Sequence, residues 1–125
     1  MNDREVVDAL NGDDLDVVRL IPIRLGFNHE NWKFIQDVCV RLSEHRDPQV
    51  RSNSLLGLSY AARFRGRVEK NVVKPVLLRG LKDSDPVVAG TAQDAIDDIN
   101  RLMGWRIGGA RKQKQVEALY EKTRG

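Results

Sequence analysis

The stretch DPQVRSNSLLGLSYAAR at residues 47–63 decides the fold. It predicts a turn followed by a helix, because Asp47 can accept hydrogen bonds from the free N–H groups of the first helical turn. Pro48 then lies where a missing N–H costs nothing. The related phrase DPVVA returns 38 residues later, at residues 85–89, and precedes a second helix-like run to Arg101. A repeat of this period is typical of stacked helical units.

Length and composition indicate one soluble, helix-rich domain. The chain has 125 residues, of which 41% are hydrophobic and 31% are charged. No apolar run approaches the roughly 20 residues that a membrane helix needs, and the charged N-terminus MNDRE lacks the apolar stretch of a signal peptide. The single cysteine, Cys39, excludes an internal disulfide and suits a reducing compartment. We therefore expect a cytoplasmic protein without a membrane partner.

The net charge of +3 is distributed unevenly along the chain. Residues 1–16 hold six acidic residues and one arginine, whereas residues 63–82 hold seven basic residues and one acidic residue. The segment from Gly104 onward carries +4, and everything before it sums to −1. This dipolar distribution differs from the uniform basic face that is the usual footprint of a nucleic-acid binder.

Periodic apolar residues predict a series of helices and no strands, because no alternation with a period of two persists. The predicted helices cover 3–10, a segment from Asp13 or Asp14 to Pro22, roughly 30–45, 47–63, 70–82 and 85–103.

Two prolines and one polar stretch set the boundaries between these helices. We expect Pro22 to kink or end its helix, with residues 21–27 either a kinked continuation or a packed connector. Residues 64–67 are expected to be a loop. Because Pro75 should lie in the first turn of its helix, we expect that helix to begin near Val72. Small residues such as Gly57 should let neighbouring helices approach closely.

The two units resemble HEAT and HEAT-like repeats over about residues 30–103. The matching residues are Asp47, Pro48, Val50 and Arg51 in one unit and Asp85, Pro86 and Val88 in the next. The resemblance implies an all-α fold, a short α-solenoid of stacked antiparallel helix pairs in one domain. Its parts are a degenerate N-terminal cap at 1–27, two repeats at 28–64 and 70–103, and a hinge with a basic C-terminal helix at 104–125. Ala89 replaces the arginine expected in the second unit, so any Asp–Arg ladder between repeats should be broken there.

The same resemblance implies a function. HEAT-like proteins act mainly as scaffolds and binding modules, and short bacterial members resemble immunity proteins of toxin–immunity systems, including contact-dependent growth inhibition. We therefore expect a non-enzymatic module that binds a protein, most concretely a toxin domain that it neutralises. Two alternatives stay open: a nucleic-acid-binding protein related to the HEAT-like alkylpurine DNA glycosylases, and a structural adaptor in a larger complex.

Candidate partner-binding residues come from one acidic cluster and from interface-type side chains. Asp94, Asp97 and Asp98 fall at i, i+3 and i+4 and share one helix face. They form either an acidic patch for a basic partner or a solvated surface on which Asp97 pairs with Arg101. The remaining candidates are Trp32, Arg51 and Tyr60; tryptophan and tyrosine are favoured interface anchors, although Trp32 could equally fill the core.

The other candidate groups predict no catalytic, cofactor or metal site. Cys39, His29 and His45 are too few for a typical structural zinc site, and no phosphate-cradling glycine loop is present. A basic set could contact phosphate or form an ordinary charged loop, and it comprises Arg63, Arg65, Arg67, Lys70 and Lys74. Trp105 is expected to pack the tail onto the last repeat.

Overall fold

The computed structural model describes residues 1–108, and this part of the chain is all helical. Its α-helices are α1 (Asp3–Leu10), α2 (Leu15–Asn28), α3 (Trp32–Leu42), α4 (Pro48–Tyr60), α5 (Lys70–Leu81) and α6 (Pro86–Met103). A π-helical turn, Ala61–Arg65, continues α4. The predicted all-α class is thereby confirmed for these residues, whereas the predicted C-terminal helix lies outside them. None of the described helices is both long and apolar enough to cross a bilayer.

The two Asp-Pro phrases begin α4 and α6, as predicted. Asp47 Oδ1 accepts hydrogen bonds from the backbone N–H groups of Gln49 and Val50 at 2.8 and 3.1 Å. Asp85 Oδ1 accepts from the next two free N–H groups of α6 at 2.9 and 3.3 Å. Pro48 and Pro86 occupy the first helical positions. Both helices therefore begin at a position fixed by local chemistry.

A second capping contact recurs two residues before each of three helix caps. The backbone N–H of Asn31, which caps α3, donates to Nδ1 of His29 at 3.0 Å. The N–H of Asp47 donates to Nδ1 of His45 at 3.0 Å, and the N–H of Asp85 donates to Oδ1 of Asp83 at 2.9 Å. Each cap residue therefore has its own backbone donor satisfied, which holds the turn that precedes the helix.

Pro22 and Pro75 both lie inside helices and not at helix boundaries. α2 continues through Pro22, which is buried, so of the two alternatives left open for residues 21–27 the helical continuation is confirmed and the packed connector is not. α5 begins at Lys70 rather than near Val72, which places Pro75 in its second turn. A proline inside a helix removes one backbone hydrogen bond, and the packing of α2 against α4 and of α5 against α6 outweighs that local loss.

The segment after α4 also differs from the expected loop. Phe64 and Arg65 belong to the π-helical turn, which ends at Gly66 in the left-handed conformation, with φ of 69°. A π turn is poorly favoured by local sequence and occurs where tertiary contacts support it. Ala61 and Ala62 anchor this turn in the core, since their exposure is 0% and 2%.

α4 lies at the centre of the packing and contacts α2, α3, α5 and α6. The closest approach is at Gly57, where a Cβ atom would lie 2.5 Å from Sγ of Cys39 in α3. The same Cβ would lie 3.1 Å from both Cβ and the carbonyl oxygen of Pro22 in α2. The predicted close approach at this small residue is confirmed, and three helices meet there.

Two arginines tie successive helices together through aspartates. Arg19 of α2 donates from Nη2 to Oδ2 of Asp47 at 2.8 Å. Arg51 of α4 donates from Nε and Nη2 to the two carboxylate oxygens of Asp83 at 2.8 and 3.0 Å. These hydrogen bonds hold the pKa of each aspartate below its usual range. Ala89 stands at the position of α6 that corresponds to Arg51 in α4. It cannot form such an ion pair, as the sequence predicts.

The chain beyond α6 turns back onto that helix. Gly104 ends α6 with φ of 70°, and Asn100 exchanges two hydrogen bonds of 2.8 Å with the backbone N–H and carbonyl of Ile107. Trp105 is half-buried and packs against the core, as predicted. Residues 104–108 therefore cover part of α6.

We predict that Gly57→Ala destabilises the protein by about 1–3 kcal/mol, because the added methyl group overpacks a site bounded by the backbone of α2. Urea unfolding followed by circular dichroism would measure this change. The matched control is Gly90→Ala in α6, where no atom lies within 4 Å of the added Cβ. That control should raise the free energy of unfolding by about 0.5–1 kcal/mol. Equal effects of the two changes would contradict the tight crossing at Gly57.

We predict an acid limb of stability that depends on Asp83. The pKa of Asp83 is lowered in the folded state because Arg51 hydrogen-bonds to its carboxylate. Its contribution is therefore complete above the unfolded pKa of about 3.9 and is lost as the pH falls through the lower folded pKa. Asp83→Asn should reduce the midpoint of urea unfolding at pH 7. The midpoint of this variant should also fall less between pH 7 and acid pH than that of the unaltered chain. Asp8→Asn in α1 is the control, and identical profiles for all three proteins would contradict the assignment.

Candidate binding face

Three helices present side chains in a common register. In α2, α4 and α6, the second, sixth, ninth and thirteenth residues lie on one side of the helix, because spacings of four and three residues return to the same face. All twelve residues are at least partly exposed. They are Asp16, Leu20, Ile23 and Phe27 in α2, Gln49, Asn53, Leu56 and Tyr60 in α4, and Val87, Thr91, Asp94 and Asp98 in α6. We call this surface the α2–α4–α6 face.

Side-chain hydrogen bonds align the three helices at matching levels. Asn53 donates from Nδ2 to the carbonyl oxygen of Arg19, next to Leu20, at 2.8 Å. The hydroxyl groups of Ser52 and Thr91 lie 2.7 Å apart. Ser59, the neighbour of Tyr60, donates to Asp98 at 3.2 Å. The sixth residues of the three helices therefore lie side by side, and so do the thirteenth residues of α4 and α6.

Three aromatic rings meet at the C-terminal end of this face. The ring centroid of Phe27 lies 4.8 Å from that of Tyr60 and 5.4 Å from that of Phe64, and the last two are 5.8 Å apart. We call these three residues the aromatic cluster. Gly26 permits the contact, since a Cβ there would lie 2.7 Å from Cβ of Tyr60.

The aromatic cluster is open to solvent. Phe27 is 53% exposed and Phe64 is 45% exposed. Of the seven exposed large hydrophobic residues in the described chain, four lie in the cluster or on the α2–α4–α6 face, and these are Leu20, Phe27, Phe64 and Val87. Single exposed apolar residues are ordinary, whereas contiguous ones, such as Phe27 and Phe64, form a candidate interaction site.

The polarity of the face changes from helix to helix. The α2 row is largely apolar, with Leu20, Ile23 and Phe27 in succession, whereas the α6 row carries Asp94 and Asp98. Asp98 is neutralised by Arg63 and Arg101, whose Nη2 atoms lie 3.2 and 3.1 Å from its oxygens. Asp94 is exposed and forms no ion pair within residues 1–108.

Half of the sequence-predicted binding residues come together on this face. Tyr60, Asp94 and Asp98 belong to it, and Asp97 lies beside it. The carboxylate of Asp97 accepts a hydrogen bond from the side-chain amide of Gln93 at 2.9 Å. Arg101 pairs with Asp98 instead of the expected Asp97.

Arg51 and Trp32 lie elsewhere and make contacts within the chain. Besides its two bonds to Asp83, Arg51 donates from Nη1 to the carbonyl oxygens of His45 and Arg46 at 3.0 and 2.9 Å. Trp32 is the first residue of α3, and the guanidinium of Arg67 lies 4.7 Å from its ring centroid. Their roles in partner binding stay predictions, and neither side chain is part of the face.

The basic set is also occupied by internal contacts. Arg65 donates from Nε to the carbonyl oxygen of His29 at 2.8 Å, and Lys70 Nζ lies 5.7 Å from the ring centroid of Trp105. With Arg63 and Arg67, four of the five cations thus contact other residues of the chain. A phosphate group would have to compete with these contacts.

The described residues offer little for metal or thiol chemistry. No group of three or more His, Cys, Asp or Glu residues within 1–108 could hold a metal ion. Cys39 is fully buried, and burial raises the pKa of its thiol. A thiol kept protonated and sealed from solvent is a poor nucleophile.

The sequence analysis missed Phe27 and Phe64. Phe64 lies in the segment 64–67 that was expected to be a loop, and Phe27 ends the segment 21–27, for which a kinked helix and a packed connector were both left open. The signal that could have found Phe27 is its position, since it is the thirteenth residue of α2 as Tyr60 is of α4. Comparisons of the chain with protein-family models, curated proteins and solved structures found no match.

We predict that each ring of the aromatic cluster contributes less to stability than a core side chain does. The double variant Phe27→Ala/Phe64→Ala breaks three ring pairs, and each pair contributes about 0.5–1.5 kcal/mol. The free energy of unfolding should therefore fall by about 1–2 kcal/mol for each half-exposed ring removed. Ile35→Ala in the core, where the side chain is 0% exposed, should cost about 2–5 kcal/mol. Urea unfolding would compare them, and a larger loss per ring in the double variant would show that the rings serve the fold.

Proposed function

We propose that this chain is a non-enzymatic protein-binding module and that it binds its partner on the α2–α4–α6 face. The observation that carries this proposal is the aromatic cluster, in which two phenylalanines are about half exposed beside a tyrosine. Covering such rings on association is favourable, at about 25 cal/mol per Å² of apolar surface. Aromatic anchors of this kind dominate the energetics of protein interfaces.

The repeated register supports a finer description of the fold. We infer a short HEAT-like α-solenoid of stacked antiparallel helix pairs, in which α2, α4 and α6 form one layer. The resemblance of the two Asp-Pro units supports this inference, as do the recurring ties from Arg19 to Asp47 and from Arg51 to Asp83. In such an arrangement the α2–α4–α6 face is the surface on which a partner sits.

The most concrete form of the proposal is a bacterial immunity protein. It would act in the cytoplasm by binding a cognate toxin domain and covering that domain's active site or substrate groove. The resemblance to small helical-repeat immunity proteins supports this form. A structural adaptor would use the same surface, and it differs only in that its partner is harmless.

The geometry favours a protein over a nucleic acid as the partner. Asp94, which is exposed and has no cationic partner within residues 1–108, places negative charge on the face, where it would repel phosphate groups. Arg63 and Arg65 have internal partners. A HEAT-like nucleic-acid protein is therefore the competing outcome of the test.

We predict that the tagged full chain captures one protein from a lysate of its source organism, in stoichiometric amount, after nuclease treatment and at moderate salt. Expressed alone in a host without the chain, that protein should arrest growth, and co-expression of the chain should restore it. Phe27→Ala/Phe64→Ala should fail to restore growth, because the apolar anchor is lost.

The control is Val7→Ala in α1, which removes an exposed apolar side chain that is not one of the face residues. It should restore growth as the unaltered chain does. A harmless captured protein would replace the immunity role with an adaptor role. Recovery of nucleic acid alone at low salt, lost at moderate salt, would overturn the proposal, and so would full rescue by the double variant.

A further inference from the structure

We infer that the partner presents an apolar side chain and a basic side chain together, the first over the α2 row and the second at Asp94. This inference rests on the proposed function and specifies the chemistry of the partner. It follows from the direction in which polarity changes on the α2–α4–α6 face. The change runs across the C-terminal halves of the helices, from Ile23 and Phe27 in α2 to Asp94 and Asp98 in α6, so a bound segment must cross them.

Asp94 is the carboxylate best placed to select a cation. Asp98 is bonded to Ser59, Arg63 and Arg101, and Asp16 lies 3.6 Å from Arg19. Asp94, one turn before Asp98, has no cationic partner within residues 1–108 and is exposed. A lysine or arginine from the partner would supply the missing charge. Complementarity of this kind mainly sets specificity and the rate of association.

The spacing of the helices sets the separation of the two partner side chains. α2 and α6 flank α4 and make no mutual contact in the described chain. Packed helices lie about 8–10 Å apart, so the two outer rows are about 16–20 Å apart. An extended segment spans this distance with about five or six residues, at roughly 3.3 Å each. A helix laid across the face would need about 11–13 residues at 1.5 Å each.

The α4 row between them suits either form of segment. Leu56 and Tyr60 are partly exposed and continue the apolar surface, while Asn53 and Gln49 at the other end offer amide groups. The centre of the face can therefore cover a backbone or an apolar side chain of the partner, and it requires no further charged residue there. The two outer rows carry the selectivity.

A library of random 16-residue peptides displayed on phage is the probe for this inference. It would be panned on the full-length chain and counter-selected on Phe27→Ala/Phe64→Ala, which leaves peptides that need the aromatic cluster. We expect these peptides to share a large apolar residue and a lysine or arginine at one of the two spacings. Affinities of synthetic peptides, measured by fluorescence anisotropy, should fall at least tenfold with Asp94→Lys, and more at low ionic strength.

The control for charge is Asp8→Lys in α1, which makes the same change away from the face and should leave affinity unaltered. A peptide whose basic residue is replaced by glutamate should bind Asp94→Lys better than the unaltered chain, as a charge swap requires. Selected peptides that lack a basic residue and ignore Asp94→Lys would overturn this inference and leave the proposed binding face intact. Failure to obtain any peptide that needs the aromatic cluster would count against the proposed function itself.

Discussion

The close approach of three helices at Gly57 is the constraint on which the rest of the structure depends. The backbone of α4 lies against Cys39 of α3 and Pro22 of α2, with no room for a side chain between them. Because protein interiors cannot absorb even a methyl group without strain, this crossing fixes both the position and the rotation of α4. The helix must then direct Tyr60 between α2 and the π-helical turn. The orientation of the α2–α4–α6 face therefore follows from a packing requirement in the core.

The same capping hydrogen bonds recur at the N-termini of α4 and α6, and they give the surface of these helices a regular register. Asp47 and Asp85 start their helices with the same pair of backbone hydrogen bonds, and Asp83 and His45 satisfy the donors of those caps. Because the helices begin alike, residues counted from their starts align across the face. Ion pairs within the chain then neutralise charge on this face, as Arg63 and Arg101 do for Asp98. The carboxylate that stays without a cationic partner in the described part of the chain, Asp94, is therefore more informative about a partner's charge than the net charge of the chain.

The features that the sequence predicts well are those with local causes. The Asp-Pro starts of α4 and α6 depend on hydrogen bonds within one turn, and they lie where predicted. Features that depend on distant residues were missed or left open. α2 continues through Pro22 because of its packing on α4, and Arg51 has its partner 32 residues away. Likewise, three aspartates on one helix are equivalent in sequence, and the contacts of Ser52 with Thr91 and of Ser59 with Asp98 show which side of α6 faces α4.

The burial of Cys39 has a practical consequence for following motion in this protein. It is the only cysteine in the chain, and its thiol lies beside Gly57 with no exposure to solvent. A thiol reagent can reach it only when α3 lifts away from α4, so the rate of modification under native conditions reports the population of that opened state. The native sequence thus carries its own probe for transient opening of the helix crossing, and no label has to be added to the α2–α4–α6 face.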